Sequence, residues 1–164
     1  MGADTCANGD STDAEHHVYI IGVNPAEYDG TITDVYVYPN QELEDVRIGM
    51  MELVSAPIGG ESESFKQGAG GDYDTAFDSG AGGACRHLVA GVDYTLFSCD
   101  EGEYAGIYYY DGNIETKTAQ SGNTYKGYWD DLWYDSETQL ESTVQTFFTR
   151  QDGDEIQMYF VNTL

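Results

Sequence analysis

Basic residues are what this chain has least of. Six Lys and Arg stand against 30 Asp and Glu, for a formal net charge of −24 at pH 7. Without a basic footprint the chain cannot neutralise phosphates, so direct binding to nucleic acid is excluded as an expectation. Apolar runs are short: none approaches the ~20 residues of a membrane-spanning helix. No positively charged start and apolar stretch follow Met1, where Gly2, Ala3, Asp4 and Thr5 stand instead. The expectation is a protein made and used without Sec-type export, or one whose leader Met1 has replaced.

Catalytic and cofactor motifs are lacking as well. There is no G-x-S-x-G elbow and no phosphate-binding G-x-x-x-x-G-K-[ST] loop. Carboxylates are so abundant that a glycosidase-like acid pair could be drawn anywhere and so carries no information. The expectation is a protein that is not an enzyme. Asp72, Asp74 and Asp78 form D-x-D-x-x-x-D, but an EF-hand needs glycine where Phe77 stands and glutamate where Gly83 stands. A calcium loop of another kind on these three aspartates is the one cofactor site the sequence leaves room for. His16 and His17 are adjacent, so on a strand their rings point to opposite faces and chelate poorly. His87 is expected to pack half-buried beside Phe97.

What is present is 40% hydrophobic residues and 14 tyrosines, too apolar for a disordered acidic tail. Tyrosine suits half-buried strand positions. The acids are spread from Asp4 to Glu155 with no block of five. A binding stripe would concentrate them. Even spread with few lysines fits a chain adapted to high salt, where screening relieves self-repulsion. An ordinary acidic surface and a nucleic-acid-mimicking face are the alternatives.

The pattern along the chain is that of short strands punctuated by turn residues. Residues 1–15 are small and polar and read as an amino-terminal arm; 16–164 read as one domain. Val18–Val23 stops at Asn24-Pro25, Thr31–Tyr38 alternates and stops at Pro39, and Asp45–Val54 stops before Pro57. Gly59–Gly83 is rich in glycine and acids and reads as a long surface loop with one or two short strands. No segment makes a convincing helix; Asp135–Val144 has too thin an apolar stripe. The expected fold is all-β, a single-domain antiparallel β-sandwich or jelly roll of roughly nine to eleven strands with a long Gly-rich loop.

Three hairpins can be drawn. One folds about Val92, setting Cys85 opposite Cys99, His87 opposite Phe97 and Val89 opposite Thr95, which suggests a Cys85–Cys99 disulfide. Another turns at Asp152-Gly153 between Glu141–Gln151 and Asp154–Leu164, with Phe147, Ile156, Met158 and Phe160 facing the core. The third joins Tyr104–Tyr110 to Ile114–Thr118 through Asp111-Gly112-Asn113.

The densest aromatic feature is Tyr125, Tyr128, Trp129, Trp133 and Tyr134, beside Asp130 and Asp131. Such rings stack on sugars and anchor protein contacts. The expected function is therefore a structural or interaction protein: an acidic, salt-adapted subunit of a surface assembly, self-associating or docked on a capsid or surface partner. A virion capsid or decoration protein stands first and a cell-surface element next. The alternative is an extracellular carbohydrate-binding module, calcium-assisted, using the same aromatics.

Overall fold

The computed structural model describes residues 1–3, 5–7, 9, 11–13, 18–44, 46–55, 62–73, 84–109, 112–127 and 145–164. Within them the structure is all-β, every strand pairing is antiparallel and there is no helix. In chain order the strands are β1 (Ser11–Asp13), β2 (Val18–Ile21), β3 (Gly30–Val37), β4 (Val46–Ser55), β5 (Ser62–Tyr73), β6 (Arg86–Val89), β7 (Phe97–Cys99), β8 (Tyr104–Tyr108), β9 (Ile114–Gly127), β10 (Gln145–Ile156) and β11 (Met158–Thr163). The three apolar runs read from the sequence before residue 55 thus become β2, β3 and β4.

The larger sheet runs β1-β9-β10-β5-β4-β8-β2, and β2 pairs back onto β9. The strands β2, β8, β4, β5, β10 and β9 therefore form a closed circuit of backbone pairings, which leaves none of them as a bare edge. In the smaller sheet β3 is flanked by β11 on one side and by β6 and β7 on the other. Residues from both sheets share one apolar cluster, including Tyr19, Val35, Ile48, Leu88, Ile107, Met158 and Phe160. Strand alternation sends Ile20, between Tyr19 and Ile21, to the opposite face, where it joins Met51 and Phe65 in a second cluster. The larger sheet is thus apolar on both faces at this point.

β3 carries a bulge. Val161 pairs with Asp34 but Asn162 pairs with Ile32, and on the other side Val89 pairs with Asp34 and Phe97 with Ile32. Thr33 is the extra residue, and the extra step lets both Ile32 and Val35 face the core although they are three apart.

Several expectations are corrected. First, residues 86–99 do not make a hairpin. β6 pairs with Asp34–Val37 and β7 with Gly30–Ile32, so both run the same way along one side of β3. Residues 90–96 loop out and return. The local turn is real, with Gly91 at φ 80°, but it reinserts the chain in its original direction. His87 accordingly faces Tyr36, not Phe97.

Second, Cys85 pairs with Cys6 in a disulfide, and Cys99 is a buried thiol. Third, Asp152-Gly153 is no turn. β10 passes straight through it with a register shift against β9, and the chain changes sheet later, at Gln157. Tyr104–Tyr108 and Ile114–Gly127 do not pair with each other either; β2 stands between them.

Fourth, half of the glycine-rich segment is strand: β5 pairs with β4 and β10. Its glycines serve close packing of backbone. A Cβ at Gly70 would lie 2.6 Å from the Ile48 carbonyl oxygen and 3.2 Å from Gly49 Cα.

The amino-terminal segment lies against β11. Ala3 N donates to Met158 O at 2.8 Å, and Phe160 N donates to Met1 O at 2.8 Å. Gly2 sits at φ 100°, and a Cβ there would lie 2.6 Å from Met158 O, so only glycine fits this approach.

Candidate functional site

The smaller sheet places a row of rings on its outer face. Inward residues of β3 are apolar, and the pleat turns Tyr36 and Asp34 outward. Register then sets Tyr36 between Tyr159 of β11 and His87 of β6. The three rings stack: Tyr36 and His87 have centroids 4.4 Å apart at 4°, and Tyr36 and Tyr159 have centroids 4.6 Å apart at 19°.

His87 Nε2 and Asp34 Oδ1 are 2.6 Å apart, with side chains 44% and 29% exposed. Thr33 Oγ1 donates to Asp34 Oδ2 at 2.8 Å. The hydrogen bonds from His87 and then Thr33 hold the Asp34 carboxyl below the usual carboxylate range. Burial and the neighbouring Tyr36 push the Tyr159 phenol up. Beyond β6 the looped-out residues expose Val92 and Leu96, at 81% and 51%.

Beside this row, a cleft of about 980 Å³ opens between the amino-terminal segment, the 24–28 loop and β11. Its walls include Tyr28, Tyr159, Asn162, Glu27 and Glu101. Reciprocal bonds fix the loop to the strand: Tyr28 Oη donates to Asn162 O at 2.7 Å, and Asn162 Nδ2 donates to Tyr28 O at 2.7 Å. Asn24, at φ 53°, donates from Nδ2 to Gly2 O at 2.9 Å. The cleft thus combines ring faces, carboxylates and amides.

A smaller cleft of about 380 Å³ is lined by Glu52, Asp100, Glu101, Glu103 and Tyr104 among others. Glu103 is 8% exposed, and its Oε1 accepts from Asp100 N at 2.6 Å. Burial, outweighing the backbone bond, pushes its carboxyl up to about 7, with Asp100, Glu52 and Asp29 adding repulsion. Nearby, burial first, and then the charges of Glu103, Asp100 and Asp29 against the opposing amino-terminal ammonium, push the Cys99 thiol up to about 12. Cys99 therefore lacks the thiolate character a nucleophile needs at neutral pH.

Of the aromatic stretch expected to bind, Tyr125 lies in β9, opposite Arg150 of β10 and Ile20 of β2. Tyr128, Trp129, Trp133 and Tyr134 lie outside the described residues, as do His16, His17, Asp74 and Asp78. Asp72 lies in β5 opposite Arg47. Among the described residues no group of three or more His, Cys, Asp or Glu is gathered so as to hold a metal ion. The Tyr159–Tyr36–His87 row was missed in the sequence, because nothing local pairs Tyr36 with residues 51 and 123 positions away. Searches of protein-family models, curated proteins and solved structures find no match for the chain.

Proposed function

We propose that this chain is a non-enzymatic structural and interaction protein: an acidic, salt-adapted β-sandwich or jelly roll serving as a subunit of a surface assembly. A virion capsid or decoration protein is the first form of this reading, and a cell-surface element the second. The observation that carries it is the Cys6–Cys85 disulfide, whose Cys85 end is exposed. Such a bond persists where the surroundings are oxidising, as on virion and cell surfaces. The charge of −24 supports the same setting, since a compact fold with that self-repulsion gains from a salty medium.

The outer face of the smaller sheet, with its ring row and the exposed Val92 and Leu96, supplies the contact surface in this reading. Light scattering across salt and protein concentration tests it. Salt-dependent oligomers, lost in a Tyr36→Ala/Leu96→Asp variant that stays folded, are expected. A monomer under every condition, with no binding to surface components, overturns the reading.

A second reading, an extracellular carbohydrate-binding module, is favoured by the large cleft. Tyr28 and Tyr159 offer faces for sugar rings, and Glu27, Glu101 and Asn162 offer acceptors and donors for hydroxyls. Titration with a panel of oligosaccharides, with and without calcium, discriminates: chemical-shift changes at Tyr28 and Tyr159 support it, and no response in either condition removes it.

A further inference from the structure

The wall between the two clefts is built on one buried acid. Glu101 lines both clefts, and the turn Asp100–Glu103 is bonded to the loop that forms one side of the larger one. Ala26 N donates to Glu103 O at 2.9 Å, and Gly102 N donates to Ala26 O at 2.9 Å. Glu101 N donates to Asp29 Oδ1 at 2.8 Å. Within the turn, Glu103 N donates to Asp100 O at 3.2 Å while Glu103 Oε1 takes the Asp100 N–H. Opposite, a Cβ at Gly68 of β5 would press on the Glu103 carboxylate, so the carboxyl is seated in the space that the glycine leaves.

Among the described residues, the charged groups acting on this carboxyl are acidic. The turn supplies Asp100, β4 supplies Glu52, the loop before β3 supplies Asp29 and β7 supplies the Cys99 thiol, on which the Met1 ammonium also acts; Glu101 and Tyr104 line the adjoining smaller cleft. On β5, Lys66 is the residue opposite Glu52 in the pairing. A negative charge placed here is both desolvated and repelled.

We propose that the Glu103 corner is a proton-operated latch on the large cleft. With Glu103 protonated, the turn and the 24–28 loop stay bonded and the cleft wall is closed up. With Glu103 ionised, repulsion from Asp100 and Glu52 loosens the turn, and the Ala26–Glu103 and Gly102–Ala26 bonds open with it. The large cleft then changes shape with pH, whichever ligand or partner occupies it.

The test is an NMR titration of the intact protein, following the Glu103 side-chain carboxyl and the amides of Ala26 and Gly102. A common inflection near pH 7 is expected, with amide exchange at Ala26 and Gly102 rising about tenfold beyond the base-catalysed trend across it. In Glu103→Gln the amide inflection disappears. Titration of Glu103 in the ordinary carboxylate range, or an inflection that survives in Glu103→Gln, overturns the latch. Should Glu103→Gln fail to fold, Glu52→Gln decides: loss of one facing charge lowers the midpoint if the latch holds, and an unchanged midpoint overturns it.

Discussion

Cys6 and Cys85 are joined across 79 residues of sequence, with Cα atoms 5.6 Å apart. The bond fastens the amino-terminal segment, whose Met1–Ala3 backbone pairs with β11, to the start of β6 on the far side of β3. It therefore holds both margins of the smaller sheet through one covalent link.

Closing a loop of that length removes unfolded-state entropy worth about 4 kcal/mol in the chain-entropy model. The Cys6→Ser/Cys85→Ser variant is expected to lose stability on that order in denaturant unfolding, and reductant should do the same to the wild type. Because Cys99 is a buried thiol with its pKa pushed up, Cys99→Ser should leave the response to reductant unchanged. A wild type indifferent to reductant, with Cys6 and Cys85 alkylatable in the native protein, would show that the bond does not form.

Salt should stabilise the fold. The net charge of −24 makes long-range repulsion the dominant surface term. The Debye length falls from ~10 Å at 0.1 M to ~3 Å at 1 M salt, so repulsion between separated acids is largely screened at the higher value. Thermal unfolding is expected to move up in temperature between these salt concentrations, with sodium chloride and potassium chloride alike. A flat or falling Tm would remove the argument for salt adaptation.

Apolar runs bounded by turn residues were legible in the sequence as strands, as Thr31–Tyr38 and Asp45–Val54 illustrate. Turn chemistry was legible only as local shape. Ala90-Gly91-Val92-Asp93 does turn, with Asp93 Oδ2 accepting from Val89 N at 2.8 Å, yet the chain rejoins β3 in the direction it left. Whether a turn reverses a strand or interrupts it depends on the partner strand, which lies outside any local window.

Asp152-Gly153 misled for the same reason: the signal for a turn is also the signal for a bulge. β5 was hidden because its glycines answer the approach of the β4 backbone, and glycine in sequence reads as loop. The ring row was hidden because its three members come from β3, β6 and β11 and meet only through register.

pH should act through two groups of opposite sign. Glu103 has its carboxyl raised to about 7 by burial. From the ordinary carboxylate range up to about 7 the native state keeps a proton the unfolded chain has released. The stability it lends is therefore full below that range and falls as pH rises, by roughly 3 kcal/mol in all. Glu103→Gln should flatten this part of the profile. Asp34, held below its usual range by His87, lends stability that is present at neutral pH and is lost as pH falls through its lowered value. Asp34→Asn should therefore weaken the protein at neutral pH and converge with the wild type in acid. Parallel profiles for wild type and Glu103→Gln between about pH 5 and pH 8 would refute the Glu103 assignment.

Phe160 tests whether the two sheets are held by one core. It is 1% exposed on β11, meets Phe97 of β7 edge-on at 6.2 Å between centroids, and belongs to the same cluster as Ile48 and Ile107 of the larger sheet. Phe160→Ala removes that ring and leaves a cavity, for an expected loss of about 3–5 kcal/mol. Phe160→Leu keeps most of the volume and should lose clearly less. Because the cluster joins both sheets, amide exchange is expected to accelerate in β4 and β8 as well as in β3 and β11. Acceleration confined to the smaller sheet would mean that the sheets unfold independently, and that the shared cluster does not couple them.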